Sequence, residues 1–290
     1  MANFESRIIN GGVVVKISDL FDVKGYGVVV TGGASGIGLG FAEALGANGA
    51  RVTILDVHAR RIADETTRLR DAGIDIRGEI VDVTDHPALD AAIDEAARVY
   101  GRLDVVFANA GIDPGVGFVG DWAGDERPRV PEGAIENYTD ERWNRVIDIN
   151  MNGVFATVRA AVRHMKPQKS GRIIITTSLA ATRVEPAIGA AYMAAKAGIK
   201  NLMRTVAMEV AAYNITVNAI APGYIVTNIG DGHAHNPVEQ KAVARTIPMH
   251  RIGYPEDMYG VALFLSSRAS DYITGQEIIV DGGQGLGIAD

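Results

Sequence analysis

The sequence predicts an α/β protein built as one doubly wound domain, a parallel sheet with helices on both faces. Three observations carry that prediction. Short β-branched runs alternate with longer alanine-rich stretches along most of the chain, the pattern of repeated βαβ units. The runs are apolar nearly throughout rather than at every second residue, as strands covered on both faces must be. No interior linker and no repeat divides the 290 residues, a length that can enclose one large core.

In chain order, the strand GYGVVVTG feeds the helical stretch IGLGFAEALGANG, and ARVTILD feeds ARRIADETTRLRDAG. The third strand, IDIRGEIVD, precedes the helix ALDAAIDEAARVYG, and LDVVFANAG precedes ERWNRVIDINMNGVFATVRAAVRHM. GRIIITTS then leads to AAYMAAKAGIKNLMRTVAMEVAAY, and NITVNAIAPG and QEIIVDGG are the last two strands. Three segments fall outside the alternation. Residues 1–17 are an N-terminal extension to a domain over 18–290, residues 112–138 are a Gly-, Pro- and charge-rich insertion, and residues 224–247 form a second irregular stretch. The last two follow predicted strands, and ligands bind beyond the carboxyl ends of strands in open α/β sheets. They are expected to wall a pocket, with 224–247 as a substrate lid, although plain exposed loop would also account for them.

Composition narrows the function. Lys plus Arg is 28 and Asp plus Glu is 35, a net charge of −7 with no long basic run, which argues against a nucleic-acid binder. The absence of cysteine excludes disulfides, thiolate metal sites and cysteine nucleophiles, and it fits a reducing, cytoplasmic location. Residues 1–17 carry Glu5 and lack a basic region followed by an apolar core, so they do not read as a signal peptide. The longest uncharged stretch, Val210 to Gly230, contains three asparagines and Pro222-Gly223, which a membrane-spanning helix rarely accepts.

TGGASGIG, Thr31 to Gly38, sits between a predicted strand and a predicted helix. Gly32, Gly36 and Gly38 allow a tight turn and close approach to a pyrophosphate, and the helix N-terminus would face the anion. Ser35 and Ile37, between those glycines, belong to the same expected cradle. Asp56 ends the second strand 24 positions after Gly32, near the spacing at which an acid bonds the adenosine ribose. A carboxylate there repels a 2′-phosphate, so NAD is expected over NADP; the competing role for Asp56 is a helix N-cap. Asp82-Val83 and Asn109-Ala110-Gly111 end the third and fourth strands at the same edge, where turn chemistry would explain them equally well.

Tyr192 and Lys196 are four apart in a run of strong helix formers, so both project from one face. An ammonium beside a phenol stabilises the phenolate and tunes it for general acid/base work, although the same spacing is common in plain surface pairs. Ser178 can hydrogen-bond a substrate oxygen and Asn150 can hold a proton-relaying water; either can also be a structural polar group.

TGGASGIG, NAG, the Asn150 segment, Ser178, Tyr-Met-Ala-Ala-Lys, and APG followed by Thr227 together resemble the short-chain dehydrogenase/reductase family over roughly Leu20 to Gly283. The resemblance implies a single Rossmann domain with Tyr192 as catalytic acid/base and Lys196 binding the nicotinamide ribose. It implies that Ser178 orients the substrate oxygen, that Asn150 holds a relay water, and that Pro222, Gly223, Ile225 and Thr227 contact the nicotinamide. It also implies a homotetramer or homodimer built on long helices such as the one bearing Tyr192. Two features depart from the family pattern: Ser178 to Tyr192 is 14 positions, one more than in many members, and the insertion after Gly111 is longer than usual.

The function expected is NAD-dependent interconversion of a secondary alcohol and its ketone. A polyol, sugar or cyclic alcohol is favoured slightly over a hydroxy acid. Arg183 and Glu185, Arg127 and Arg129, and His233, His235 and Asn236 lie in segments able to face such a substrate, though charged loop residues are usually just solvated. Asp231, His233 and His235 have the spacing of an extended metal site, yet the tyrosine chemistry needs no metal and none is expected. The rivals are an NADPH-dependent ketoreductase such as a 3-oxoacyl reductase, against which Asp56 argues, and a dinucleotide-binding sensor without turnover.

Overall fold

Seven apolar runs become strands: β1 (Gly27–Thr31), β2 (Arg51–Asp56), β3 (Ile76–Ile80), β4 (Val105–Ala108), β5 (Gly171–Thr176), β6 (Ile215–Pro222) and β7 (Glu277–Val280). In this computed structural model, which describes residues 16–112, 115–120, 128–227 and 237–287, they form one sheet. Its order is β3-β2-β1-β4-β5-β6-β7 and every pairing is parallel. Val29 of β1 lies between Thr53 of β2 and Val106 of β4. The chain moves outward from β1 to β3 and then crosses back to β4. The connections after β1 and β4 therefore diverge, and a crevice opens at their carboxyl ends, the switch point of a doubly wound sheet.

Helices cover both faces: α1 (Ile17–Leu20), α2 (Gly36–Ala47), α3 (Ala59–Asp71), α4 (His86–Tyr100), α5 (Asp140–Ile147), α6 (Gly153–Gln168), α7 (Ala190–Val210), α8 (Pro237–Ala244) and α9 (Tyr259–Ser266). Side chains alternate across the strands, so each of β1, β2, β4, β5 and β6 feeds two cores. Val28, Val30, Phe107 and Ile174 pack with α2, α3 and α9, and Phe41 of α2 stacks on Phe107 with ring centroids 4.5 Å apart. Val29, Val106, Ile173 and Ile175 point the other way, among α4, α6 and α7. Burying each such side chain contributes about 1.5–3 kcal/mol, and burial on both faces is why the strands read as continuous apolar runs.

Three features differ from the sequence expectation. The helix predicted over the ERW…RHM stretch is broken by a π-helical turn, Asp148–Asn152, between α5 and α6. Helices α8 and α9 lie in a stretch to which the predicted alternation assigned none. The short α1 straddles the boundary expected at residue 17.

The described part of the insertion is folded against the loop that follows Ser178. Val116 bridges Ile188 in antiparallel fashion and Val119 bridges Arg129, while the Gly117 amide donates to the Ala187 carbonyl at 2.8 Å. Arg142 of α5 stacks on Tyr138 and donates to the Glu132 carbonyl at 2.7 Å. The described part of the insertion thus packs on the loop between the expected catalytic serine and tyrosine.

Candidate active site

The glycine loop is held by the strand ends beneath it. Thr31 Oγ1 accepts from the Asn109 and Ala110 amides at 3.0 and 3.2 Å. Asn109 Nδ2 donates to the Thr31 and Gly32 carbonyls, and Asn109 Oδ1 accepts from Thr176 Oγ1 at 2.9 Å. One side chain thereby laces together the ends of β1, β4 and β5. Gly32 has φ +64°, and a Cβ on Gly38 would stand 2.2 Å from the Gly32 carbonyl and 2.5 Å from Asn109 Nδ2. Only glycine fits there, and α2 can begin directly against the loop with its N-terminal amides at the crevice. Ser35 is the N-cap residue of α2, with Ile37 in its first turn.

Asp56 ends β2 with 8% of its surface exposed. Its Oδ2 accepts from the Ala34 amide of the glycine loop and its Oδ1 from the His58 amide, both at 3.1 Å. The N-cap position of α3 is His58, so the capping alternative for Asp56 gives way to a carboxylate that ties the loop to the end of β2. Asp82 instead folds back on its own turn, accepting from the Thr84 amide and hydroxyl at 2.9 and 2.8 Å. Val83 is buried beneath Gly153 of α6. In this pair the turn and packing roles are the ones on view.

The proton-handling candidates converge at the ends of β4 and β5. Lys196 is 3% exposed; its Nζ donates to the Thr176 carbonyl at 2.9 Å and lies 5.4 Å from the centroid of the Tyr192 ring. Burial pushes its ammonium from the usual 10.5 down to about 8, because desolvation penalises the charged form. Asn150, fully buried, sits on the π-helical turn, a local irregularity often found at functional sites. Its Nδ2 donates to the carbonyls of Val146 and Ile112, both at 3.1 Å. Its Oδ1 has no hydrogen-bond partner among the described residues. Gly111 lies between the two groups: a Cβ there would be 2.7 Å from Asn150 Oδ1 and 3.6 Å from Lys196 Nζ. Ser178, two residues beyond Thr176, accepts from the Ala180 amide at 3.2 Å.

On the far side of the crevice, the Gly223 amide donates to the Val280 carbonyl, Ile225 is buried and bridges Gly253, and Thr227 packs against Gly36. Among the substrate-facing candidates, Arg183 and Glu185 face each other at 3.2 Å, and Arg183 also donates to the Gln284 carbonyl. Arg129 lies over the Phe118 ring. Arg127, Asp231, His233, His235 and Asn236 fall outside the described residues. Among the described residues no group of three or more His, Asp or Glu side chains is placed to hold a metal, and no helix is long and apolar enough to cross a membrane.

Sequence reasoning missed three participants. Thr31 heads the glycine motif but offered no sign of its bonds to the Asn109 and Ala110 amides, and Thr176 belongs to no motif; what makes both matter is the sheet order that sets their strand ends beside Asn109. The π-helical turn under Asn150 has no compositional signal; its only trace is a polar DINMN inside an otherwise helical run.

The residues present fit a dinucleotide. A glycine-lined cradle at a helix N-terminus, an acid at the end of β2, a buried lysine, and a buried amide oxygen with no protein partner meet at one sheet edge. Comparison with known proteins agrees. Residues 32–284 match the family described as Enoyl-(Acyl carrier protein) reductase. The chain is 33% identical over 267 residues to the 5-keto-D-gluconate 5-reductase of Escherichia coli strain K12, covering 92% of this chain and 98% of that one. It is 38% identical over 256 residues to the cis-4-hydroxycyclohexanecarboxylate dehydrogenase of Sinomonas cyclohexanicum, covering 88% and 94%. The crystal structure of a gluconate 5-dehydrogenase from Burkholderia cenocepacia J2315, in complex with NADP and tartrate, superposes with a TM-score of 0.80 at 30% identity, covering 92% and 98%. Fold, strand-end geometry and these likenesses over nearly the whole length lead to one conclusion: the chain belongs to the short-chain dehydrogenase/reductase family of oxidoreductases, which bind a nicotinamide dinucleotide.

Proposed function

We propose that this protein oxidises a secondary alcohol to a ketone, reversibly, with NAD as the hydride acceptor, and that its substrate is a polyol, sugar or cyclic alcohol. The observation that carries the proposal is the buried Lys196 ammonium, bonded to the Thr176 carbonyl and set against Tyr192. A desolvated cation is costly to keep, and its position fits a group that stabilises a phenolate. Gly32, Ser35, Gly36, Ile37 and Gly38 would cradle the pyrophosphate, and Asp56 would take the adenosine ribose hydroxyls. Asp82, Val83, Asn109, Ala110 and Gly111 would form the floor of the crevice, with Pro222, Gly223, Ile225 and Thr227 at the nicotinamide end. The bound cofactor supplies the hydride chemistry.

The protein's own task is the proton. Tyr192 removes it from the substrate hydroxyl, Ser178 donates a hydrogen bond to the oxygen as charge develops, and Lys196 favours the deprotonated phenol. The open Oδ1 of Asn150 is suited to a water that hands the proton onward. The carboxylate at Asp56 supports NAD over NADP through repulsion of a 2′-phosphate. The sugar and cyclic-alcohol substrates in the names of the two relatives support the substrate class. The mutual pairing of Arg183 and Glu185 leaves less net charge to hold an anion. Residues 112–138 and 224–247 would wall the substrate side of an 18–290 domain. Exposed Phe155 on α6 and Met208 on α7 support self-association through the long helices, as a homotetramer or homodimer, and the cysteine-free chain fits the cytoplasm.

The test is a parallel titration with NADH and NADPH by nicotinamide fluorescence, followed by an alcohol and ketone panel with Tyr192→Phe as control. The expected result is preference for NADH and a loss of turnover in Tyr192→Phe of about 10²- to 10⁴-fold with NADH binding retained. Full turnover in that variant would overturn the role of Tyr192. Preference for NADPH would favour the reductase, and binding without any turnover would favour a sensor.

A further inference from the structure

One turn beyond Lys196 on α7, a second lysine lies half-buried in an ion pair that the proposed chemistry does not use. Lys200 Nζ lies 2.5 Å from Glu277 Oε2, with the two side chains 18% and 5% exposed. Glu277 opens β7, paired with Ala219 of β6. Its carboxylate also accepts from Thr177 Oγ1 at 2.8 Å and from Thr182 Oγ1 at 3.4 Å, and Lys200 donates to Thr182 Oγ1 at 2.6 Å. Four side chains from three distant parts of the chain thus close one polar cluster around Ser178, with Thr177 immediately before it and Thr182 four residues after.

A partly desolvated ion pair is poor evidence of stabilisation, because the cost of desolvating both charges offsets much of their attraction. What such a cluster does well is fix geometry, since each member loses a partner if another moves. The piece it fixes is the end of β5: the Thr176 carbonyl that holds Lys196, then Thr177, then Ser178. We propose that Glu277 and Lys200 are positioning residues for the reaction. They lock α7, β7 and the loop after β5 together so that Ser178 and the acceptor of Lys196 keep their places relative to Tyr192. The inference rests on the dehydrogenase reading above.

The test uses the full-length protein, the alcohol that wild type oxidises, and the variants Thr177→Val, Thr177→Ser, Glu277→Ala and Lys200→Met. Misplacing a reacting group by a fraction of an ångström lowers kcat, so a fall of about 10- to 100-fold is expected in Thr177→Val, Glu277→Ala and Lys200→Met. The dissociation constant for NADH should change far less than kcat, because the glycine loop and Asp56, which make most of the cofactor cradle, belong to the ends of β1 and β2. Thr177→Ser, which restores the hydroxyl, should recover most of kcat. A merely structural role would lower the melting temperature and leave kcat untouched, and that result would overturn the inference. So would a parallel loss of kcat and NADH affinity, or failure of Thr177→Ser to rescue. Should Glu277→Ala not fold, Thr177→Val decides the matter alone, as it removes one hydroxyl without uncovering a charge. An inactive wild type across the panel would sink the dehydrogenase reading and this inference with it, whereas an active wild type with unaltered variants sinks only the inference.

Discussion

Replacing Lys196 by methionine should abolish turnover and yet make the cofactor-free protein more stable at neutral pH. The ammonium is driven from 10.5 to about 8 by burial, and at about 1.4 kcal/mol per pKa unit the folded state carries a cost of about 3 kcal/mol for keeping it charged at pH 7. Methionine removes the charge with little change in length. It also removes the bond to the Thr176 carbonyl, which costs about 1–2 kcal/mol because that acceptor is buried. The difference is a net gain of about 1–2 kcal/mol, or a rise of about 2–3 °C in melting temperature for a chain of this size.

The pH dependence makes the argument sharper. Between pH 8 and 10.5 the unfolded chain holds a proton on Lys196 that the folded protein has released, so the wild type gains stability as pH rises through that window. The variant has no such term. Its advantage at pH 7 should shrink above pH 8 and change sign at about pH 9, and by about pH 10 the variant should trail by most of the lost hydrogen bond. Calorimetry of both proteins from pH 7 to 10, at one protein concentration and without cofactor, reads this directly. A variant less stable than wild type by the same amount at every pH would refute the reasoning.

Two further outcomes follow from the cofactor cradle. Asp56→Asn keeps an acceptor for the Ala34 or His58 amide but removes the charge, so the ratio of NADPH to NADH affinity should rise about 10- to 100-fold; an unchanged ratio by fluorescence titration would show that Asp56 does not face the ribose. Gly38→Ala drives a methyl into the Gly32 carbonyl and Asn109 Nδ2, so it should cost about 1–3 kcal/mol in denaturant unfolding and weaken NADH binding, and wild-type values for both would refute the close packing of loop on α2.

The fold was legible because its signals are local. Alternating strand and helix runs, the glycine spacing of Thr31 to Gly38, and the four-residue step from Tyr192 to Lys196 depend on period and propensity within a few residues. Asp56 was legible through its distance from the loop, since a βαβ unit has a nearly fixed length. Where the signal was ambiguous, as at Asp82 or Asn109, the residues had two local uses and the sequence offered no means of choosing. Neither α9 nor the π-helical turn was foreseen. The apolar run that becomes α9 lies beyond the last motif, and the turn coincides with the long-range bond from Asn150 to the Ile112 carbonyl, which local composition does not signal.

Local sequence was enough to fix the class of fold, the place of the glycine loop, and the positions of Asn150, Ser178, Tyr192 and Lys196 as candidates for proton transfer. Only the tertiary structure decided that Lys196 is buried against the Thr176 carbonyl, that Asn150 is left with an open oxygen beside Gly111, and that Glu277 meets Thr177 across 100 positions of chain. The reason is physical. A helix face or a tight turn is set by neighbours in sequence, whereas burial and long-range polar pairing are set by the strand order, which brings β1, β4, β5 and β7 to one edge only once the whole sheet has formed.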